Sequence, residues 1–367
     1  MRGNQQMSDR SMQDVIARQA DGGAGPKRPP RRKRRRLIRL AIGAAVSIVM
    51  LIGAVVGAGY LFINHLASSI PRLPDIAALD AAHQPVMPAA TDRSMTVLLT
   101  GSMTLPASIG GQGALGSSQA HGDLSGLIAL IHLNANRRGG AVVSIPPNAV
   151  VHVPGHGQME LWQTLTTGGP SLLIETIEHL TNVRIDHYSV LDFAGVVHVI
   201  RAMNGVDVDV PYAITSDGHA FAAGINHLNG SNVLPYVRQG GVSEIGRVLL
   251  QQNLIRAMLD KIAQRRLFSG LSRDLRVVRA MSGALSVDSN FTDSQLESLA
   301  LRLGYLDSAD GVFVSAPTVN GSPSVGGVSP VDLNRTISDR LWRAIRHDSV
   351  AAFAQRYPFT VTPGAPG

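Results

Sequence analysis

The sequence predicts an α/β domain, a sheet covered by helices, held outside the cell membrane by one transmembrane helix. Three observations predict it. From Met95 onward, short apolar runs alternate with stretches of helical periodicity, the order expected of a sheet with helices on its faces. Leu40 to Ile63 is 24 residues without a charge, long enough to span a hydrocarbon core of about 30 Å. Residues 1–39 carry twelve Lys or Arg against three Asp, the positive flank that stays in the cytoplasm.

The apolar run resists other readings. A cleaved signal peptide has an apolar centre of only about 7–15 residues before a small-residue cleavage site. A helix lying on the surface needs a polar face, and this run has none. The tail's +9 leaves −2 for the other 328 residues, given +7 for the whole chain. The high pI is therefore a property of the tail. Lys27–Arg36 abuts the apolar run and reads as the inside signal, resting on anionic membrane lipid, rather than as a nucleic-acid patch. No nucleic-acid partner is expected. Gly22, Gly23, Gly25, Pro26, Pro29 and Pro30 interrupt any helix, so residues 1–39 are expected to be a disordered cytoplasmic tail. The chain has no cysteine, which excludes disulfides and thiol chemistry. An extracytoplasmic domain of roughly 270 residues buries a sufficient core without them.

The elements follow in order. Residues 64–94 hold Pro71, Pro74, Pro85 and Pro88 among Ala and Asp and read as a stalk. The domain is expected over 95–355. Met95–Thr100 is a β-prone run, and Leu105 to Gly126, rich in Gly, Ser and Ala, is a long loop. Its Gly111–Gly116 matches G-x-G-x-x-G, but no strand immediately precedes it and no helix follows, as a dinucleotide site requires. Leu127–Leu133 and Ala141–Ile145 are nearly continuous apolar runs, typical of strands buried on both faces. From Pro170, Leu172, Leu173, Thr176, Ile177 and Leu180 form one helical stripe. His187–Leu191 reads as a strand, Phe193–Met203 as a helix, Val206–Val210 as an alternating strand and Glu244–Arg266 as the longest helix of the domain. Thr292–Gln295 is a capping box before Leu296, Leu299, Ala300 and Leu303, with Gly304 as the stop. Val312–Val314 is a strand, and Leu333 to Phe353 reads as one final helix carrying Ile337, Leu341 and Ile345.

The catalytic inventory is thin. There is no H-E-x-x-H, no G-x-S-x-G and no P-loop. The 12 His are scattered, and Pro154 and Gly155 prevent His152 and His156 from sharing a helix face. What stands out is Arg238 and Arg247 near the start of the long helix, with Gln251 and Gln252 one turn on. Two guanidinium forks converging on a cleft suit a diphosphate. Ordinary surface arginines would have the same spacing.

A series of short motifs resembles the LytR-CpsA-Psr family. They are Val97–Ser102, Ile131–Ala135, Val143–Pro146, Val153–Gly157, Gly168–Pro170, Ile185–Tyr188 and Asp192–Gly195. Asn204–Val208, Leu228–Gly230, Tyr236–Arg238 and Gly246-Arg247 with Gln251-Gln252 continue the series. The resemblance is strongest over 95–266. It implies a membrane-anchored protein of bacterial cell-envelope assembly, whose partner is a polyprenyl-pyrophosphate-linked glycopolymer, or an envelope protein. It also implies that Arg238, Arg247 and Gln251 bind the pyrophosphate. The family is a phosphotransferase family that uses Mg²⁺, and here this chain departs from it. Met103 stands for an aspartate and Leu105 for an arginine. Leu124, Ser125, Gly126 and Leu127 replace R-S-D-T, Pro147-Asn148 replaces R-D, and Glu160-Leu161-Trp162 replaces K-I-N. Gly240, Glu244 and Leu250 take the places of an arginine, an aspartate and an arginine. Asp123 lies three residues out of register for the lost acid. Phosphoryl transfer depends on that charge neutralisation. The expectation is a non-catalytic relative with no metal site. The alternative is an active phosphotransferase attaching glycopolymers to peptidoglycan.

Overall fold

Two apolar layers, one on each face of a mixed sheet, follow from the alternation of side chains along its strands. The computed structural model describes residues 68–80, 84–102, 127–136, 139–238, 244–264, 275–296, 298–299, 311–319 and 330–361. The expected tail, the apolar run Leu40–Ile63 and the glycine-rich loop lie outside these residues. Among the described residues no helix is long and apolar enough to cross a membrane.

The strands are β1 (Met95–Ser102), β2 (Ile128–Leu133), β3 (Gly140–Ser144), β4 (Val150–Val153), β5 (Gly157–Glu160) and β6 (His187–Asp192). They continue as β7 (Val206–Val210), β8 (Ile214–Ser216), β9 (His219–Phe221), β10 (Gly224–Leu228), β11 (Leu285–Val287) and β12 (Gly311–Ser315). The helices are α1 (Gln163–Thr167), α2 (Gly169–Thr181), α3 (Phe193–Ala202), α4 (Val233–Arg238), α5 (Glu244–Gln264), α6 (Leu275–Ala284), α7 (Arg335–Arg346) and α8 (Val350–Arg356). The main sheet has the order β11-β6-β1-β2-β3-β12. β1 runs parallel to β6, β3 runs parallel to β12, and the β1–β2, β2–β3 and β6–β11 pairs are antiparallel.

Successive side chains point to opposite faces. Leu98, Leu130, Val143 and Val314 therefore meet α2, α7 and α8 in one layer. Leu99, Ala129, Val142 and Phe313 meet α3, α5 and α6 in the other. This double burial explains the unbroken apolar runs. The stripe on α2 is as read, with Leu172, Leu173, Thr176 and Ile177 buried and Leu180 at its margin. The capping box forms reciprocally: Thr292 N donates to Gln295 Oε1 at 2.9 Å and Gln295 N to Thr292 Oγ1 at 3.4 Å. Gly304 lies outside the described residues.

Two expectations change. The described part of the stretch read as a stalk packs on the domain instead, burying Leu73, Ile76 and Leu79. Leu73 N donates to Val287 O at 2.7 Å, and Val287 N donates to Pro71 O at 3.1 Å. The prolines thus mark an irregular but fixed segment, anchored by apolar residues between them. The single helix 333–353 is two, α7 and α8, because Asp348 takes a left-handed φ of 53°. That turn is used: Asp348 accepts from Ala135 N at 2.7 Å and meets the buried His132 Nε2 at 2.8 Å. β7 is the alternating strand expected, and it pairs with β10 in a ribbon separate from the main sheet. The hairpins β4–β5 and β8–β9 were not read from sequence, and the first confirms that His152 and His156 share no helix.

Candidate functional site

The apolar strands of the main sheet turn polar at one end. β1 finishes at Ser102, β3 at Ser144 and β12 at Ser315, while β2 begins there at Ile128. Their register brings these termini side by side: Thr100 pairs with Ile128, Ala129 with Ser144, and Ser144 with Ser315. Two residues beyond Val142 and Phe313, Ser144 and Ser315 face the same layer, towards α5. At Gly101 a Cβ would lie 2.6 Å from the Phe193 ring. The end of β1 is thus pressed against α3, whose N-terminus Asp192 caps through Ala194 N and Gly195 N at 2.9 and 3.1 Å.

α5 covers this end through amides. Gln252 Nε2 donates to Val314 O at 3.0 Å, and Ser315 Oγ donates to Gln252 Oε1 at 3.4 Å. Leu250 and Leu254 bury on either side. One turn beyond Gln252, the Arg256 guanidinium lies 4.7 Å over the Phe313 ring. Burial lowers its pKa, and Asp260 opposes that. Two polar atoms at this end have no hydrogen-bond partner: Gln251 Oε1 and Ser144 Oγ, on residues only 2 % and 1 % exposed. Leaving a buried acceptor unmatched costs about 1–3 kcal/mol. Such orphans call for an explanation, and a ligand that brings its own donors is one.

The residues singled out from sequence come from two consecutive helices. Arg238 is the last residue of α4, Arg247 stands in the first turn of α5, and Gln251 is one turn further on. Spaced i, i+4, Arg247 and Gln251 share a helix face. Several positions where the resemblance expects charge are neutral here. Leu250 is a core residue, Pro147 O accepts from Trp162 N at 2.9 Å, and Asn148 is buried. Met103, Leu105, Asp123, Gly126 and Gly240 lie outside the described residues. The sequence reading missed Ser144 and Ser315, although each ends an apolar run (V-V-S and V-F-V-S) and that switch was the available signal.

Comparison with known proteins bears on the family and the fold. The Enterococcus faecalis protein "Polyisoprenyl-teichoic acid--peptidoglycan teichoic acid transferase TagU" is 26% identical over 168 residues, 45% of this chain. The match spans about half, 54%, of that relative's length. Among solved structures, a LytR-Csp2A-Psr enzyme from Actinomyces oris matches with a TM-score of 0.57 and 19% identity, covering 75% of this chain and 96% of its own. A TagT bound to LI-WTA matches with a TM-score of 0.53 and 20% identity, covering 75% and 99%. At these identities the structural likeness establishes the fold. The LytR_cpsA_psr family description matches residues 75–342, which takes in residues 75–94 of the segment read as a stalk. This chain belongs to the LytR-CpsA-Psr family.

Proposed function

We propose that this protein works in bacterial cell-envelope assembly, anchored in the membrane with its domain outside. In this reading it holds a polyprenyl-pyrophosphate-linked glycopolymer at the polar end of the sheet without turning it over. A relative named for transfer of polyisoprenyl-linked teichoic acid and a fold neighbour bound to LI-WTA support the ligand class. The observation that carries it is the orphaned carbonyl of Gln251, buried on the helix face that also carries Arg247. An amide one turn from the Arg247 position, with Arg238 ending the preceding helix, can help orient a diphosphate and accept from a sugar hydroxyl beside it.

Turnover is a separate matter. Mg²⁺ is held by oxygen ligands, commonly one or two carboxylates with substrate phosphates. Of the positions that the resemblance fills with acid, Met103, Gly126 and Asn148 carry no carboxylate and Glu244 alone keeps one, so the residues present fit the ion poorly. The alternative, an active phosphotransferase, needs Glu244 joined by acids from elsewhere in the chain.

The test is Gln251→Met, which keeps the volume and removes the orphan. The unliganded variant should be more stable by about 1 kcal/mol and bind a polyprenyl-pyrophosphate more weakly. Arg238→Ala and Arg247→Ala should each weaken binding by about 1.5–3 kcal/mol, as for a charge-assisted hydrogen bond. Calorimetric titration reads both. Unchanged affinity in all three variants would move the ligand elsewhere.

A further inference from the structure

The end of the sheet that carries the candidate site is also where the chain enters the domain. The bridge between Arg72 and Val287 is parallel. β11 is antiparallel to β6, which is parallel to β1. Residues 70–73 therefore run opposite to β1 and arrive from the end where β1 finishes. The arrival is fixed by the two backbone hydrogen bonds at Val287, by Arg72 on Asp293 and the Phe291 carbonyl, and by Ser289 Oγ donating to Asp75 at 2.6 Å. Only residues 64–67 separate Ile63 from Ser68, and each residue spans at most about 3.6 Å. Ser68 thus stays within roughly 18 Å of the end of the apolar run.

Two of the exposed large apolar residues lie at the same end, near the β12 corner. Val319, 52 % exposed, follows the end of β12. Phe359, 70 % exposed, precedes Val361, whose antiparallel bridge to Val314 brings the chain in from the Ser315 side. Arg335 is the first residue of α7, after a bridge between Thr318 and Leu333. A cation in the first turn opposes the helix dipole, so this arginine does not serve its helix. Arg340 donates to Tyr357 Oη at 2.6 Å, beside Phe359, and exposed Arg356 closes α8. Asp332 and Asp339 are the acids of this corner. Apolar tips among arginines suit a bilayer surface, with the rings at headgroup depth and the guanidinium groups on lipid phosphates.

We propose that this corner, with Val319 and Phe359 as its apolar tips, rests on an anionic lipid surface, so that the polar end of the sheet meets lipid-linked ligand at the headgroups. The proposal rests on the reading of Leu40–Ile63 as a membrane anchor. Val86, 91 % exposed, supplies a matched control at the other end. It lies between Gln84, bonded to Ile185 O, and Thr91, bonded to Arg346 O.

The test uses the full chain in vesicles containing phosphatidylglycerol and a headgroup nitroxide lipid. The chain has no cysteine, so Val319→Cys and Val86→Cys each take a single fluorescent label. The label at 319 should be quenched several-fold more than that at 86, and the gap should shrink with phosphatidylcholine alone or with Phe359→Ser. Equal or reversed quenching in protein that survives a carbonate wash would overturn the docking surface and leave the anchor standing. Loss of the protein in that wash would overturn both.

Discussion

Asp288→Ala is expected to destabilise the fold by about 3–5 kcal/mol. Asp288 is fully buried and its carboxylate gathers three groups. It accepts from Tyr188 N and Asn290 N, each at 3.0 Å, and meets His187 Nδ1 at 3.2 Å. His187 stacks on Phe291 with ring centroids 3.8 Å apart, so truncation leaves an enclosed imidazole and two amides without acceptors. Asp288→Asn keeps an acceptor oxygen and should cost much less. Asp293→Ala, which breaks only the half-exposed contact with Arg72, should cost under about 1 kcal/mol. Urea midpoints of the three variants check the ranking. A loss below that of Asp293→Ala would contradict the network.

The second large effect is a dependence on pH set by Glu178. Burial raises its carboxyl pKa from 4.5 to about 7. A hydrogen bond from Ile185 N opposes this, Asp186 and Glu175 reinforce it, and Arg184 opposes it. A carboxyl that holds its proton more tightly when folded stabilises the fold below its unfolded pKa. That contribution is lost as pH rises through the folded value. Stability should therefore fall between about pH 4.5 and 7 from this group. Water still reaches part of the carboxyl, which brings the expected difference to roughly 1–2 kcal/mol. Glu178→Gln should match the parent at pH 5 and exceed it at pH 8, in melting curves taken at both. A variant less stable than the parent at pH 8 would contradict the assignment.

Much of the fold was legible because apolar periodicity reports burial directly. The runs around Leu98, Leu130 and Val143 are strands because both faces are covered. The α2 stripe and the Thr292 capping box have local causes that need no tertiary information. What was not legible depends on contacts distant in sequence. Nothing local shows that Leu73 lies beside Val287, so a proline-rich segment read as a stalk. Nothing near Asp348 shows that it answers His132 across the fold, so α7 and α8 read as one helix. At the site, resemblance picked out Arg238, Arg247 and Gln251. The pairing of Ser144 with Ser315 is a consequence of strand register, and neither segment contains it alone.

The central claim is that the polar end of this sheet holds a lipid-linked diphosphate without Mg²⁺-assisted cleavage. The most direct measurement is release of polyprenyl phosphate from a lipid-linked sugar by the full chain, with and without EDTA, beside binding of the same compound. Binding should be indifferent to EDTA and release absent or very slow. Met103→Asp with Gly126→Asp should bring in Mg²⁺ dependence of binding before any turnover, since the positions held by Leu105, Pro147 and Gly240 still lack arginine. Robust, EDTA-sensitive release by the unaltered protein would contradict the claim and make Asp123 and Glu244 the first acids to replace.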